Sequence, residues 1–360
     1  MNRSARGGRL IGFLRSGFVR TAAQALLLLG GVEAASRIVH GNVRPMIPFV
    51  VDHDGGPRLA PDMDMAVRLP GRDSIRLTTD ALGGRIEPGG AGPPRILVAG
   101  DSQLLGWGLD ARQSLGPVLG TALLGSPGGA VTLAAAGADP ETLVPWARDY
   151  RRAGAERLRL KVIGLNLGND LDEMILGRAL PAAPGPSQRI VEWLTLHSFA
   201  FMDLSMAMAR LSGKHEGIPP GADPVLFMLD DAERTDLADG AAQAMRNLTA
   251  ALPPADRTVV LLIPNDTQVA PAEFEKYRPA YPDEQTFLAW RRNVPLAKAR
   301  LDAIADRVSR DLAGGDLIVL DLRAVLAGHD PRKVFDRHSH HLTAYGTRLA
   351  AQAILARLGR

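Results

Sequence analysis

Five short apolar runs, each stopping at a small or polar residue, constrain this chain more than any other feature. They span 96–99, 131–136, 160–167, 258–263 and 317–320. They end at Gly100-Asp101-Ser102, Gly137-Ala138-Asp139, Gly168-Asn169-Asp170, Pro264-Asn265-Asp266 and Asp321. Runs this short and this continuously apolar are the pattern of parallel strands buried on both faces. Helical patterns separate them, at 114–124, roughly 141–156, 232–252 and 284–313, the last interrupted by Pro295. Strand and helix in alternation predict right-handed crossovers and an α/β fold. The expected architecture is a doubly wound, flavodoxin-like parallel sheet of about five strands in three α/β/α layers. In such a sheet ligands bind at the carboxyl ends of the strands, where the run terminators lie.

The terminators carry chemistry. Ser102 is delivered to the sheet edge directly after a buried strand, but a serine hydroxyl is a weak nucleophile unless a base and oxyanion donors converge on it. A histidine-rich turn, Val334-Phe335-Asp336-Arg337-His338-Ser339-His340-His341-Leu342-Thr343, precedes the final helical pattern, which runs through Ala356. A histidine there can reach the end of the first strand, accept the Ser102 proton and later protonate a leaving group. The Ser102 and Gly137 N–H groups and the Asn169 side-chain amide would hold an oxyanion. Glycine permits close backbone approach, and an amide donates without adding charge. Each feature also has a plainer reading. Gly-Asp-Ser is a turn, Asn169-Asp170 a helix cap, Gly137 a turn glycine, and the HSHH cluster with Asp336 a metal site of no recognised spacing.

Taken together, the blocks resemble the SGNH (GDSL-like) hydrolases. Gly100-Asp101-Ser102 matches the family's first block, Gly137 the second, Gly168-Asn169-Asp170 the third, and His341-Leu342-Thr343 with Gly346 the last, in the family's order across roughly residues 95–350. The TTDALGGR segment at 78–85, the GWG at 106–108 and Leu262-Ile263-Pro264 further resemble membrane-anchored bacterial members near polysaccharide O-acetyltransferases. The resemblance implies Ser102 as nucleophile, His341 as base and Ser102, Gly137 and Asn169 as the oxyanion hole. The family's aspartate two or three residues before the histidine is missing, because Ser339 and His338 stand there. Asp336, five residues upstream, is the candidate orienting acid; otherwise a dyad operates, with a backbone carbonyl orienting the histidine. A shifted register would make His338 or His340 the base.

The implied function is serine-dependent ester hydrolysis or acyl (acetyl) transfer on an extracytoplasmic carbohydrate ester. The alternatives are a lipid esterase and a catalytically degenerate polysaccharide-binding or assembly protein. No cofactor is implied. The net charge of +3 comes from five arginines among the first twenty residues (Arg3, Arg6, Arg9, Arg15, Arg20), so it does not describe a nucleic-acid stripe. That basic tail precedes the apolar Ala22 to Val32, and together they predict a signal anchor over 1–40. The positive side would stay in the cytoplasm and the catalytic domain would face the periplasm from the inner membrane. Residues 41–94 read as a lead-in or cap, and 95–360 as the hydrolase domain. An insertion at about 171–231 carries an apolar helix over 193–211, whose Phe199, Phe201, Met202, Met206 and Met208 are expected to pack. Zero cysteines exclude disulfides and thiolate chemistry.

Overall fold

The computed structural model describes residues 5–51, 56–69, 72–87, 93–154, 157–175, 185–211, 231–270, 275, 278, 283–336 and 339–360, with the side chains of 5–18, 51, 209–211 and 231 left aside. The chain opens with helix α1 (Ala5–His40). A lead-in follows with strands β1 (Val43–Arg44), β2 (Phe49–Val51), β3 (Pro57–Leu59), β4 (Asp64–Arg68), β5 (Ser74–Thr79) and β6 (Arg85–Ile86). Five longer parallel elements come next: β7 (Ile96–Gly100), β8 (Ala130–Ala134), β9 (Leu158–Asn166), β10 (Ala255–Ile263) and β11 (Leu317–Asp321).

These last five lie in the order β8-β7-β9-β10-β11, parallel throughout. Numbered from β7, that order is 2-1-3-4-5, the flavodoxin-like winding, whose switch point falls between the first and third strands. Every residue of β7 is buried. Ile96 and Val98 enter the core on one face of the sheet, Leu97 and Ala99 the core on the other. Burial on both sides removes the usual polar alternation, and each large side chain so placed contributes roughly 1.5–3 kcal/mol.

The sheet has nine strands rather than about five. β6 pairs antiparallel with β8, and β5, β4 and β1 extend the sheet outward from it. Residues 41–94 therefore contribute sheet as well as cover, while β2 and β3 form a separate hairpin. The difference arises because β1 and β6 are two residues long, too short for any periodicity, although β5 does alternate exposed and buried positions.

The helices on the two faces include α3 (Leu115–Leu124), α4 (Val144–Arg152), α8 (Asp231–Ala251), α10 (Glu284–Leu312) and α13 (Ala344–Arg357). Pro295 sits inside α10 without ending it. Short helices α2 (Ser102–Leu105) and α5 (Asn169–Ile175) start at the ends of β7 and β9, and α9 (Asp266–Val269), α11 (Leu322–Leu326) and α12 (Pro331–Val334) fill later connections. Among the described residues of the insertion lie two helices, α6 (Pro186–His197) and α7 (Phe199–Leu211), rather than one over 193–211. Ser198 between them has extended backbone, and its hydroxyl accepts the Phe201 N–H. Phe199 and Met202 are buried as expected, whereas Met208 is exposed. The Pro/Gly-rich linker at 217–224 lies outside the described residues.

Candidate active site

β7 and β9 flank the switch point, and each ends in a turn that starts a helix. At the end of β7, the Asp101 carboxylate accepts the Gln103 N–H at 3.0 Å and caps α2, leaving Ser102 at the first helical position. At the end of β9, the Asn166 side-chain oxygen accepts the Gly168 N–H at 3.1 Å, and its amide donates to Asp101 at 2.7 Å. Asn166 thus ties the turn that carries Ser102 to the turn that presents Asn169. It is a residue the sequence did not flag, although it stands in the same strand end.

The structure brings Ser102 and His341 together. Ser102 Oγ and His341 Nε2 are 2.9 Å apart. The histidine turn is held in place by Gln103, whose amide donates to the His340 carbonyl at 2.9 Å and accepts the Leu342 N–H at 2.9 Å. That two-point clamp on either side of His341 comes from the residue next to Ser102. Gly346 lets the turn close, since a Cβ there would stand 2.5 Å from the Val334 carbonyl oxygen. The His340 ring lies tilted by 31° against that of His341 at 4.3 Å between centroids, and it is the His341 ring that meets Ser102. The alternative base His338 lies outside the described residues.

Asp336 is linked to His341 in two ways among the described residues: its backbone N–H donates to the His341 carbonyl at 2.8 Å, and its carboxylate connects to the ring through Ser339. His341 Nδ1 lies 3.0 Å from Ser339 Oγ, and Ser339 Oγ donates to Asp336 Oδ1 at 3.3 Å. One hydroxyl suffices for this, because it has two acceptor lone pairs and one proton to give. The position two residues before the histidine, from which the expected aspartate is missing, is thus occupied by a relay. Arg72 closes the arrangement: its guanidinium donates to Ser339 Oγ at 2.9 Å and pairs with Asp336 at 3.1 Å. It also donates to the Trp107 carbonyl at 2.7 Å. A cavity of about 380 Å³ borders this acid side, lined by Arg72, Gln113, Asp336 and Thr343 among others and not by Ser102.

The GWG and TTDALGGR segments acquire structural roles. Trp107 stacks on His341 with centroids 5.6 Å apart and 17° between planes, and Phe49 also stacks on Trp107, at 6.5 Å. Arg85 is fully buried and donates to the carbonyls of Leu105, Gly106 and Leu109, at 2.6, 3.1 and 2.5 Å. Burial pulls its guanidinium down to about 10. One arginine thereby fixes the loop that carries Trp107, a role invisible in sequence because its partners are carbonyls.

On the oxyanion side, Asn169 Nδ2 is buried without a hydrogen-bond partner. An orphaned donor of this kind costs about 1–3 kcal/mol, and an oxyanion would satisfy it. Gly137 adopts φ +68°, a left-handed backbone that a side chain would strain. Behind these donors lie buried acids. Burial raises Asp101 to about 6, and burial followed by the Asp101 charge holds Asp170 well above the ordinary carboxyl range. Asp170 Oδ2 accepts the Asn166 N–H at 2.8 Å. Among the described residues no group of three or more His, Asp or Glu side chains is arranged to hold a metal ion.

No protein-family model matches the chain, and no curated protein matches it. Solved structures similar to it include a protein from Slackia heliotrinireducens provisionally described as an SGNH hydrolase, at 15% identity and TM-score 0.34 over 74% of this chain and 100% of that one. Another is the acetylxylan esterase Axe2 from Geobacillus stearothermophilus, at 13% identity and TM-score 0.34 over 75% and 96%. A third is LAE5, an alpha/beta hydrolase from the metagenome of Lake Arreo, Spain, at 13% identity and TM-score 0.33 over 75% and 96%. At these values the likeness carries no argument about chemistry. The strand order and the interatomic distances of the site carry it instead.

Proposed function

We propose that the chain is a serine-dependent ester hydrolase or acyl (acetyl) transferase of the SGNH type, acting outside the cytoplasmic membrane on a carbohydrate ester. The observation that carries the reading is the 2.9 Å contact between Ser102 Oγ and His341 Nε2, beside an unpartnered Asn169 amide at the neighbouring strand end. A pair so placed has the geometry of an activated nucleophile, and a non-catalytic binding protein has no need of it.

The steps follow from the groups present. Ser102 Oγ attacks the acyl carbon while its proton passes to His341 Nε2. The carbonyl oxygen becomes an oxyanion held by the Ser102 and Gly137 N–H groups and the Asn169 amide. As imidazolium forms, Nδ1–H donates to Ser339, whose own proton is held by Asp336. Collapse expels the alcohol, protonated by His341, and leaves an acyl-Ser102 ester. Water resolves it to acid, or a sugar hydroxyl resolves it to a new ester; His341 is base in either case. The site does not distinguish the two acceptors.

The amino-terminal helix supports the location. In α1, Val19–His40 is long and apolar enough to cross a membrane, and none of it is buried. At 1.5 Å per residue its 22 residues span about 33 Å, close to a hydrocarbon core of about 30 Å. On this reading 1–40 anchors the chain in the inner membrane and the remainder lies outside. Fluorophosphonate labelling of the purified chain tests the catalytic proposal. Wild type should label and turn over p-nitrophenyl acetate, and Ser102→Ala should do neither. Labelling or turnover retained in Ser102→Ala would remove Ser102 from the mechanism.

A further inference from the structure

The insertion helices are bolted to the end of the anchor, and the way they attach points to what covers their outer face. In the last turns of α1, Glu33, Ser36, Arg37 and His40 recur at i, i+3, i+4 and i+7, so they form one polar stripe just after the apolar run Ala25 to Val32. α7 covers that stripe. Glu33 accepts the backbone N–H groups of Phe199 and Ala200 at 3.2 and 3.0 Å and the Ser198 hydroxyl at 2.8 Å. Ser36 and His40 both reach Asp203, at 2.5 and 2.7 Å, and Arg37 donates to the His197 carbonyl at 2.8 Å. The Phe199 ring is enclosed by Arg37 and Arg44, whose guanidinium carbons stand 4.9 and 4.8 Å from its centroid.

Exposed apolar residues surround this seam on all three helices. On α1 they are Leu26 to Leu29, Val32, Ile38 and Val39; on α6 Ile190, Val191 and Trp193; on α7 Leu204 and Met208. All are exposed, Trp193 by 58% and Met208 by 61%. Polar groups on a helix in hydrocarbon are costly unless another element satisfies them. α7 satisfies the one polar stripe near the end of the span and continues the apolar surface outward. A ten-residue apolar stretch, Phe199–Met208, is too short to cross a bilayer and suits its interface.

We propose that α6 and α7 lie in the outer interface of the same bilayer that α1 crosses, with Ile190, Trp193, Leu204 and Met208 immersed at the boundary between headgroups and acyl chains. The proposal rests on α1 being a retained membrane helix. The occupant of the exposed face is lipid, argued from its continuity with the apolar surface of α1 and from the polar seam that joins them.

The chain lacks cysteine, so single-site labelling needs no background removal. Full-length Ile190→Cys, Leu204→Cys, Met208→Cys and, as a control on the carboxyl-terminal helix, Gln352→Cys are labelled with the environment-sensitive fluorophore NBD and reconstituted into phosphatidylcholine vesicles, with and without brominated acyl chains. Flotation reports whether α1 holds the chain in the membrane. NBD at 190, 204 and 208 should shift to the blue and lose at least half its emission to bromolipid, while NBD at 352 changes little. Chain that floats but shows no bromolipid quenching at the three sites would overturn the proposal and leave the anchor standing. Shielding that disappears on dilution with lipid would assign the face to a second copy and equally overturn it. Failure to float would remove both the anchor and the docking.

Discussion

Replacing Asp336 tests whether the hydroxyl relay is real. The bonds of 3.0 and 3.3 Å through Ser339 place the Asp336 carboxylate within about 6 Å of His341 Nδ1. At an effective dielectric near 20, a unit charge at that distance acts on the imidazolium with roughly 2.5 kcal/mol. Arg72 lies as close, 2.9 Å from the same Ser339 oxygen, with the opposite sign. The two charges therefore nearly cancel at His341 in the wild type. In Asp336→Asn the guanidinium is left uncompensated beside a developing cation, so about 2.5 kcal/mol of transition-state stabilisation disappears, roughly a 70-fold loss in kcat/KM. Adding Arg72→Gln removes the opposing charge and should restore most of that loss. His341→Ala, by contrast, removes the base and should cost at least about 10³-fold. The assay is p-nitrophenyl acetate hydrolysis by the four proteins side by side, with circular dichroism to confirm folding. An Asp336→Asn loss equal to that of His341→Ala, or a double variant no better than Asp336→Asn, would refute the charge-balanced relay.

Three further outcomes are expected. Asn169→Ala should lower kcat by about 10²- to 10³-fold with little change in KM, because the amide is unpartnered until charge develops; a near-normal kcat would return Asn169 to a structural role. Ser339→Ala should lower kcat/KM by about 10- to 150-fold, the loss of one hydrogen bond to a charged group; an unchanged rate would show that Asp336 acts without it. Asp170 keeps its proton in the folded chain above the ordinary carboxyl value of 3.8, whereas unfolded Asp170 ionises there. Its contribution to stability is therefore fully present at low pH and declines as pH rises above about 4. Urea midpoints of wild type should fall relative to Asp170→Asn between pH 4 and pH 7, and parallel profiles would refute the assignment.

The sequence by itself determined the winding of the five-strand parallel unit and the strand ends that carry Ser102, Gly137 and Asn169. Burial on both faces of a parallel strand writes an unbroken apolar run, and each run stops where the chain leaves the sheet. His341 is singled out by the Leu342-Thr343 and Gly346 that follow it in the resembled family's register; in the structure Leu342 is buried in the core and Gly346 lies against Val334. The tertiary structure alone decided the rest. β1 and β6 gain their hydrogen bonds from β4, β5 and β8, which a two-residue segment cannot announce. Ser339 acts through groups 3 and 267 residues away in the chain, Asp336 and Arg72. Gln103 and Arg85 act on backbone carbonyls and N–H groups, which every residue possesses and no sequence pattern distinguishes. Local burial is encoded in residue type and spacing, whereas a relay, a clamp or a covered polar stripe exists only once distant segments share a surface.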